Sequence, residues 1–216
     1  GSFELQLTAK QKEITKQFKV LKMTSTILND KRVKVLPKLK REIQQHLQHL
    51  GMPYAQFEVV LTSTETYHQF GNTEILFLFS ANKGGTLQEV DKVASGGELS
   101  RLMLAIKYIT AQSSNINTLV FDEIDTGVSG KIASLMGDMM LEISKTNQLI
   151  AISHLPQIAS KANTHLKVVK TVKNNNTISD VVVLNKEERI EEIAKLLSGK
   201  KLTKAAFDNA VELLNQ

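Results

Sequence analysis

Thr118-Leu119-Val120-Phe121 is an apolar run that stops on two adjacent carboxylates, Asp122 and Glu123. A short apolar run of this kind is a core strand, and in open α/β folds ligands collect at the carboxyl edge of such strands. Upstream, Ser95-Gly96-Gly97-Glu98 leads into Leu99 to Ile109, whose apolar residues recur at helical spacing. Glycines there let backbone N–H groups converge without a Cβ in the way, and a helix start adds its positive dipole end, so the turn can hold an anion. Downstream, Gln148 to Ile152 is a second apolar strand, and it delivers Ser153-His154 to the same sheet edge as Asp122. Glycine turn and helix, strand with paired acids, Asp125 in a glycine-containing loop and strand with histidine follow one another in an order that suits nucleotide chemistry.

The rest of the chain reads as alternating strands and helices, an α/β class with a mostly parallel centre. Phe57 to Thr62 and Glu74 to Ser80 are strands, the second apolar enough to be buried on both faces, with a polar loop over Tyr67 to Asn72. Ser129 to Ser144 is a helix with Ile132, Leu135, Met136, Met139, Met140 and Ile143 on its buried side. His165 to Lys173 and Thr177 to Leu184 form a hairpin around Asn174-Asn175-Asn176, and Lys186 to Leu197 and Thr203 to Leu214 are helices separated by Ser198-Gly199.

The first fifty residues differ in character. Leu7, Ile14, Leu21 and Leu28 recur every seven residues, a short coiled-coil seam, and a second stripe of Leu36, Leu39, Ile43, Leu47 and Leu50 follows around Pro37. We read these as two antiparallel helices, the stump of an arm over residues 1–52, with the head over 53–216. Residues 1–50 carry eleven Lys and Arg against four Asp and Glu, while the remainder has sixteen against eighteen. A basic helical segment on a near-neutral body can track a phosphate backbone, although lysines also simply solvate a helix. His46 and His49 share a helix face without an evident third metal ligand.

With no cysteine, the chain has neither a disulfide framework nor a thiolate metal site and fits a reducing, cytoplasmic setting. No apolar run reaches bilayer length, so no membrane partner is expected. Nothing matches Gly-x-x-x-x-Gly-Lys-Ser/Thr, the loop that grips a β-phosphate.

Those motifs, in that order, resemble the second half of an ABC-type ATPase head. Ser95-Gly96-Gly97-Glu98 is similar to the signature turn, Leu119 to Glu123 to the Walker B strand, Asp125 to the D-loop acid and His154 to the switch histidine. Val93 to Arg101, Phe121 to Gly130 and Ser153 to Ala159 are closest in wording to the RecN family of bacterial DNA repair proteins, relatives of the SMC proteins. Ala94 and Glu98 stand where the commonest ABC wording has leucine and glutamine; Glu98 is ordinary in SMC-like branches.

The resemblance implies the carboxyl-terminal lobe of an ABC/SMC-type head, with ATP and Mg2+ as cofactors. It places Asp122 near Mg2+, Glu123 as the base toward the attacking water, and His154 against the γ-phosphate. Ser95, Gly96, Gly97 and Glu98 reach the nucleotide of an opposing head, and Asp125 lies at the seam between heads. It further implies double-stranded DNA at breaks or ends, a second head and a P-loop lobe upstream of the arm as partners, and little ATPase activity in these 216 residues by themselves. Gly1-Ser2 resembles a cloning scar, as in an excised fragment. The alternatives are a transporter's nucleotide-binding subunit, which the basic helical segment fits poorly, and a non-enzymatic DNA-binding or dimerisation module, which has no need of Asp122-Glu123.

Overall fold

The computed structural model describes residues 2–93, 95–113, 116–122, 124–128, 130–173, 176–199 and 202–215. The chain groups into two compact units, 1–45 with 54–93 and 46–53 with 94–216. This grouping cuts the chain differently from the linear boundary expected at 52/53.

In the first unit, α1 runs unbroken from Ser2 to His49, its last turn belonging to the second unit. The expected antiparallel pair of helices is therefore one helix. No glycine occurs between residues 2 and 50, and Asn29-Asp30 alone does not reverse a chain. Pro37 removes one N–H and crowds the carbonyl four residues back, but the helix passes through it.

Strands β1 (Gln56–His68) and β2 (Gly71–Ser80) pair antiparallel from Gln56↔Ser80 onward, and β3 (Gln88–Glu89) joins the outer edge of β2. Where a loop was expected over Tyr67 to Asn72, both strands continue and turn tightly, with Gly71 at φ 92°. The turn is held to α1. Ser25 Oγ donates to Asn72 Oδ1 at 2.6 Å and accepts from Asn72 N at 3.2 Å, and Arg32 Nη2 donates to the Phe70 carbonyl at 2.9 Å. A Cβ at residue 71 would lie 3.2 Å from Ser25 Oγ, so glycine serves both the turn and the close approach. Strand β2, expected to be buried on both faces, is exposed through its middle at Ile75, Leu76 and Phe77.

In the second unit, α2 (Gly96–Ser113) precedes β4 (Thr118–Asp122), followed by α3 (Gly130–Ser144), β5 (Gln148–Ile152) and the short α4 (Pro156–Ala159). β4 and β5 pair in parallel, with Asp122 opposite Ile152. Leu119 and Phe121 point into a core shared with Leu104 of α2 and with Met136, Met139, Met140 and Ile143 of α3. Those four α3 residues are the buried side anticipated from helical spacing. The alternate positions Val120, Ile150 and Ile152 are exposed, so this sheet presents an open apolar face.

Strands β6 (Leu166–Lys173) and β7 (Asn176–Val183) form an antiparallel hairpin, and α5 (Lys186–Ser198) and α6 (Lys204–Leu214) pack through Ile193, Ala194, Ala206 and Ala210. A capping box of Asn185 and Glu188 starts α5, and Gly199 at φ 69° ends it. Among the described residues β4–β5 supplies the parallel pairing expected of the α/β class, and the other two sheets are antiparallel. Among the described residues no helix is long and apolar enough to cross a membrane.

Candidate functional site

The edge where β4 and β5 end gathers the candidate residues. Because the strands are parallel and Asp122 sits opposite Ile152, the backbone leaving β4 and the backbone leaving β5 emerge side by side. Asp122 ends β4 with its side chain exposed. It also closes one end of a shallow cavity of about 450 Å3 between α2 and β4, whose walls include Leu99, Met103, Val120 and Ile124.

After β4 the chain turns back through residues 124–127, and the Val128 N–H donates to the Asp125 carbonyl at 3.1 Å. The resemblance placed Asp125 at a seam between heads; here its carboxylate faces inward, with the residue 1% exposed. Ser153 donates a short hydrogen bond to Asp125 Oδ2, and the Leu155 N–H donates to Ser153 Oγ at 3.0 Å. His154 Nδ1 lies 3.9 Å from the same Oδ2, with the imidazole 73% exposed. Asp125 Oδ1 has no hydrogen-bond partner among the described residues. Burying a carboxylate is costly unless it is bonded, so this one is held chiefly through Ser153.

The glycine turn meets the same loop. α2 begins at Gly96, and the Leu99 N–H closes its first turn on the Ser95 carbonyl at 3.0 Å. A Cβ at residue 97 would sit 3.2 Å from the carbonyl oxygens of both Thr126 and Gly127, so the two turns touch backbone to backbone. Gly96 has open space where a side chain would be, which leaves its amide approachable. Ser95 is exposed, and Glu98 is half-buried in the first turn, where an acid suits the helix dipole. Arg101 clamps this end of α2: Nε donates to the Gly97 carbonyl at 3.0 Å and Nη1 to the Leu50 carbonyl at 3.2 Å. Burial lowers the guanidinium pKa from its usual value, an effect that Glu98 opposes.

Ser95, Gly96, Gly97, Asp122, Asp125 and His154 therefore belong to one set of neighbouring turns in one unit. Glu123, the expected base, lies outside the described residues. Ser153 and Arg101 were not singled out in the sequence; a hydroxyl immediately before the strand-end histidine was the signal for the first. No cluster of three metal-ligating side chains occurs among the described residues. A single strand-end carboxylate still suits Mg2+, which is commonly held by one or two carboxylates together with substrate phosphates.

One edge thus gathers an exposed acid and an exposed imidazole from a parallel strand pair, with a glycine turn packed against the intervening loop, and the fold that holds them is that of SMC head domains. Solved structures agree on the fold. The Smc head domain with a coiled coil and joint from Pyrococcus yayanosii matches with a TM-score of 0.62 at 19% identity, over 91% of this chain and 36% of that one. A chain from work on ATP-driven dimerization and DNA stimulated activation of SMC ATPases matches with a TM-score of 0.53 at 16% identity, over 80% of this chain and 99% of that one.

Within that class the sequence relatives are DNA repair proteins RecN. The protein from Rickettsia conorii is 39% identical over 206 residues, 95% of this chain and 37% of the relative. That from Vibrio cholerae is 38% identical over 188 residues, 87% and 34% respectively. The chain is similar to one segment of these relatives, has the fold of an SMC head domain, and spans a little over a third of the length of the relatives it matches. No family model matches the chain.

Proposed function

We propose that this chain is the carboxyl-terminal lobe of an ATP-hydrolysing head that acts on DNA in double-strand break repair, with the P-loop supplied by a lobe outside these residues. The observation that carries the reading is the shared edge of Asp122 and His154, with the Ser95-Gly96-Gly97 turn packed against the loop between them. Phosphoryl transfer is mostly positioning and charge stabilisation, so each element has a part. Asp122 takes a place in the shell of Mg2+, which when bound neutralises charge on the phosphates. Glu123, next in sequence, orients and deprotonates the attacking water. His154 contacts the γ-phosphate from the same side. Ser95 Oγ and the Gly96 and Gly97 amides, at the start of α2, reach the γ-phosphate of the nucleotide held by an opposing head, so ATP joins two heads and hydrolysis releases them.

The intact protein carrying Glu123→Gln tests this. It should bind ATP and accumulate as dimers while turnover falls at least about a hundredfold, as for loss of a catalytic base. Hydrolysis at the unmodified rate would remove Glu123 from the role. The 216 residues alone should show no appreciable ATPase activity in a phosphate-release assay, and robust turnover by them would defeat the divided-head reading.

A further inference from the structure

We propose that Ser153 is a positioning residue for His154, acting through the buried carboxylate of Asp125. The inference rests on the reading of His154 as the histidine that meets the γ-phosphate, and adds a residue to that site.

The geometry leaves the Ser153 hydroxyl little freedom. Its oxygen accepts the Leu155 N–H at 3.0 Å, and its single proton is given to Asp125 Oδ2. Asp125 in turn has a fully buried side chain, and its other oxygen is without a hydrogen-bond partner among the described residues. A carboxylate anchored at one oxygen takes its rotation from that anchor. The anchored oxygen is also the one 3.9 Å from His154 Nδ1, beyond hydrogen-bond length yet near enough to close with a small movement of an exposed ring. Once closed, Nδ1 donates to Oδ2 and fixes the ring plane. The opposite nitrogen, Nε2, then faces away from Asp125; phosphate oxygens only accept, so Nε2 meets one as an N–H donor when the ring is an imidazolium, with Nδ1–H still on Oδ2. Which ring nitrogen carries the proton is set by what the other one touches. Here the choice traces back to a serine hydroxyl in the same turn.

Without that hydroxyl the chain keeps both strands and both turns, but Asp125 loses its anchor and the ring loses its reference. A purely structural serine would affect stability alone; a positioning serine alters the state of the histidine.

Two measurements separate these. In the 216-residue chain, side-chain 15N NMR of His154, assigned with a His154→Gln variant, should show protonation favouring Nδ1. Ser153→Ala should shift the two nitrogen signals toward an unbiased mixture, and Ser153→Thr, which keeps the hydroxyl, should restore them. In the intact protein Ser153→Ala should lower kcat about tenfold, the scale of one hydrogen bond to a charged group, with KM for ATP little changed and activity recovered in Ser153→Thr. Unaltered His154 signals in a folded Ser153→Ala chain would overturn the proposal. So would equal losses in Ser153→Ala and Ser153→Thr. If instead His154→Gln in the intact protein hydrolysed ATP normally, the histidine's role would fall, whatever the NMR showed about its coupling to Ser153.

Discussion

At the scale of single residues, the site depends on what small side chains permit. Gly97 is needed because two backbone carbonyls stand 3.2 Å from where a Cβ would go, and neither can give way as a flexible side chain would. Gly97→Ala should push α2 away from residues 126–127 and cost about 1–3 kcal/mol, the usual range for overpacking, readable as a lowered Tm of the 216-residue chain. Gly96→Ala, with open space at the same point, should leave stability within about 0.5–1 kcal/mol of the parent, the cost or gain of a glycine exchange, with Tm correspondingly close. His165 offers a pH test away from the site. Burial first, then the charge of Arg189, lowers its pKa from 6.5, with Lys167 adding to the effect and Glu192 opposing it. A histidine depressed on folding takes up more protons when unfolded, so its contribution is complete above pH 6.5 and is lost as pH falls below that toward the folded value. Denaturant midpoints between pH 7.5 and 5 should fall less steeply in His165→Gln than in the parent.

Among the elements, α1 and α2 show how a helix boundary can be set by distant residues. Arg101 satisfies the Leu50 carbonyl, one of those left at the end of α1, and at the same time holds the Gly97 carbonyl at the start of α2. Arg101→Met keeps most of the stem and removes both bonds; thermal melts should report a loss of about 1–3 kcal/mol. Pro37 illustrates the reverse, a local penalty that the helix tolerates. The helix runs through it, and the residues Ile43, Leu47 and Leu50 beyond it are buried, where packing offsets one missing hydrogen bond. The strands tell a similar story. The apolar content of β2 predicted burial on both faces; in this chain its middle residues are exposed, since apolar composition states a need for cover without supplying the cover.

For the whole molecule, charge distribution is the property that bears on the DNA reading. The surplus of cations in residues 1–50 falls on α1, where Lys31, Lys34, Lys38 and Arg41 follow one another at helical spacing and are exposed. If α1 tracks a duplex, the affinity of the 216-residue chain for double-stranded DNA should fall steeply with salt. Replacing Lys34 and Lys38 by Gln should reduce the slope of log K against log salt by about 0.9 for each phosphate contact removed, measurable by fluorescence anisotropy. A slope unaffected by both substitutions would place the DNA contacts elsewhere. The residue order by itself determined the class of the protein: glycine turn, acid-ended strand and histidine-ended strand are local patterns, and their spacing survives in any chain that folds this way. It also determined the methionine face of α3, since helical period alone selects it. Only the tertiary structure decided that α1 is one helix, that the sheets formed by β1–β3 and by β6–β7 are antiparallel, and that Asp125 turns inward to Ser153. Each of those depends on which partner a group meets across the fold, and a buried carboxylate or a helix end takes its bond from wherever packing brings one.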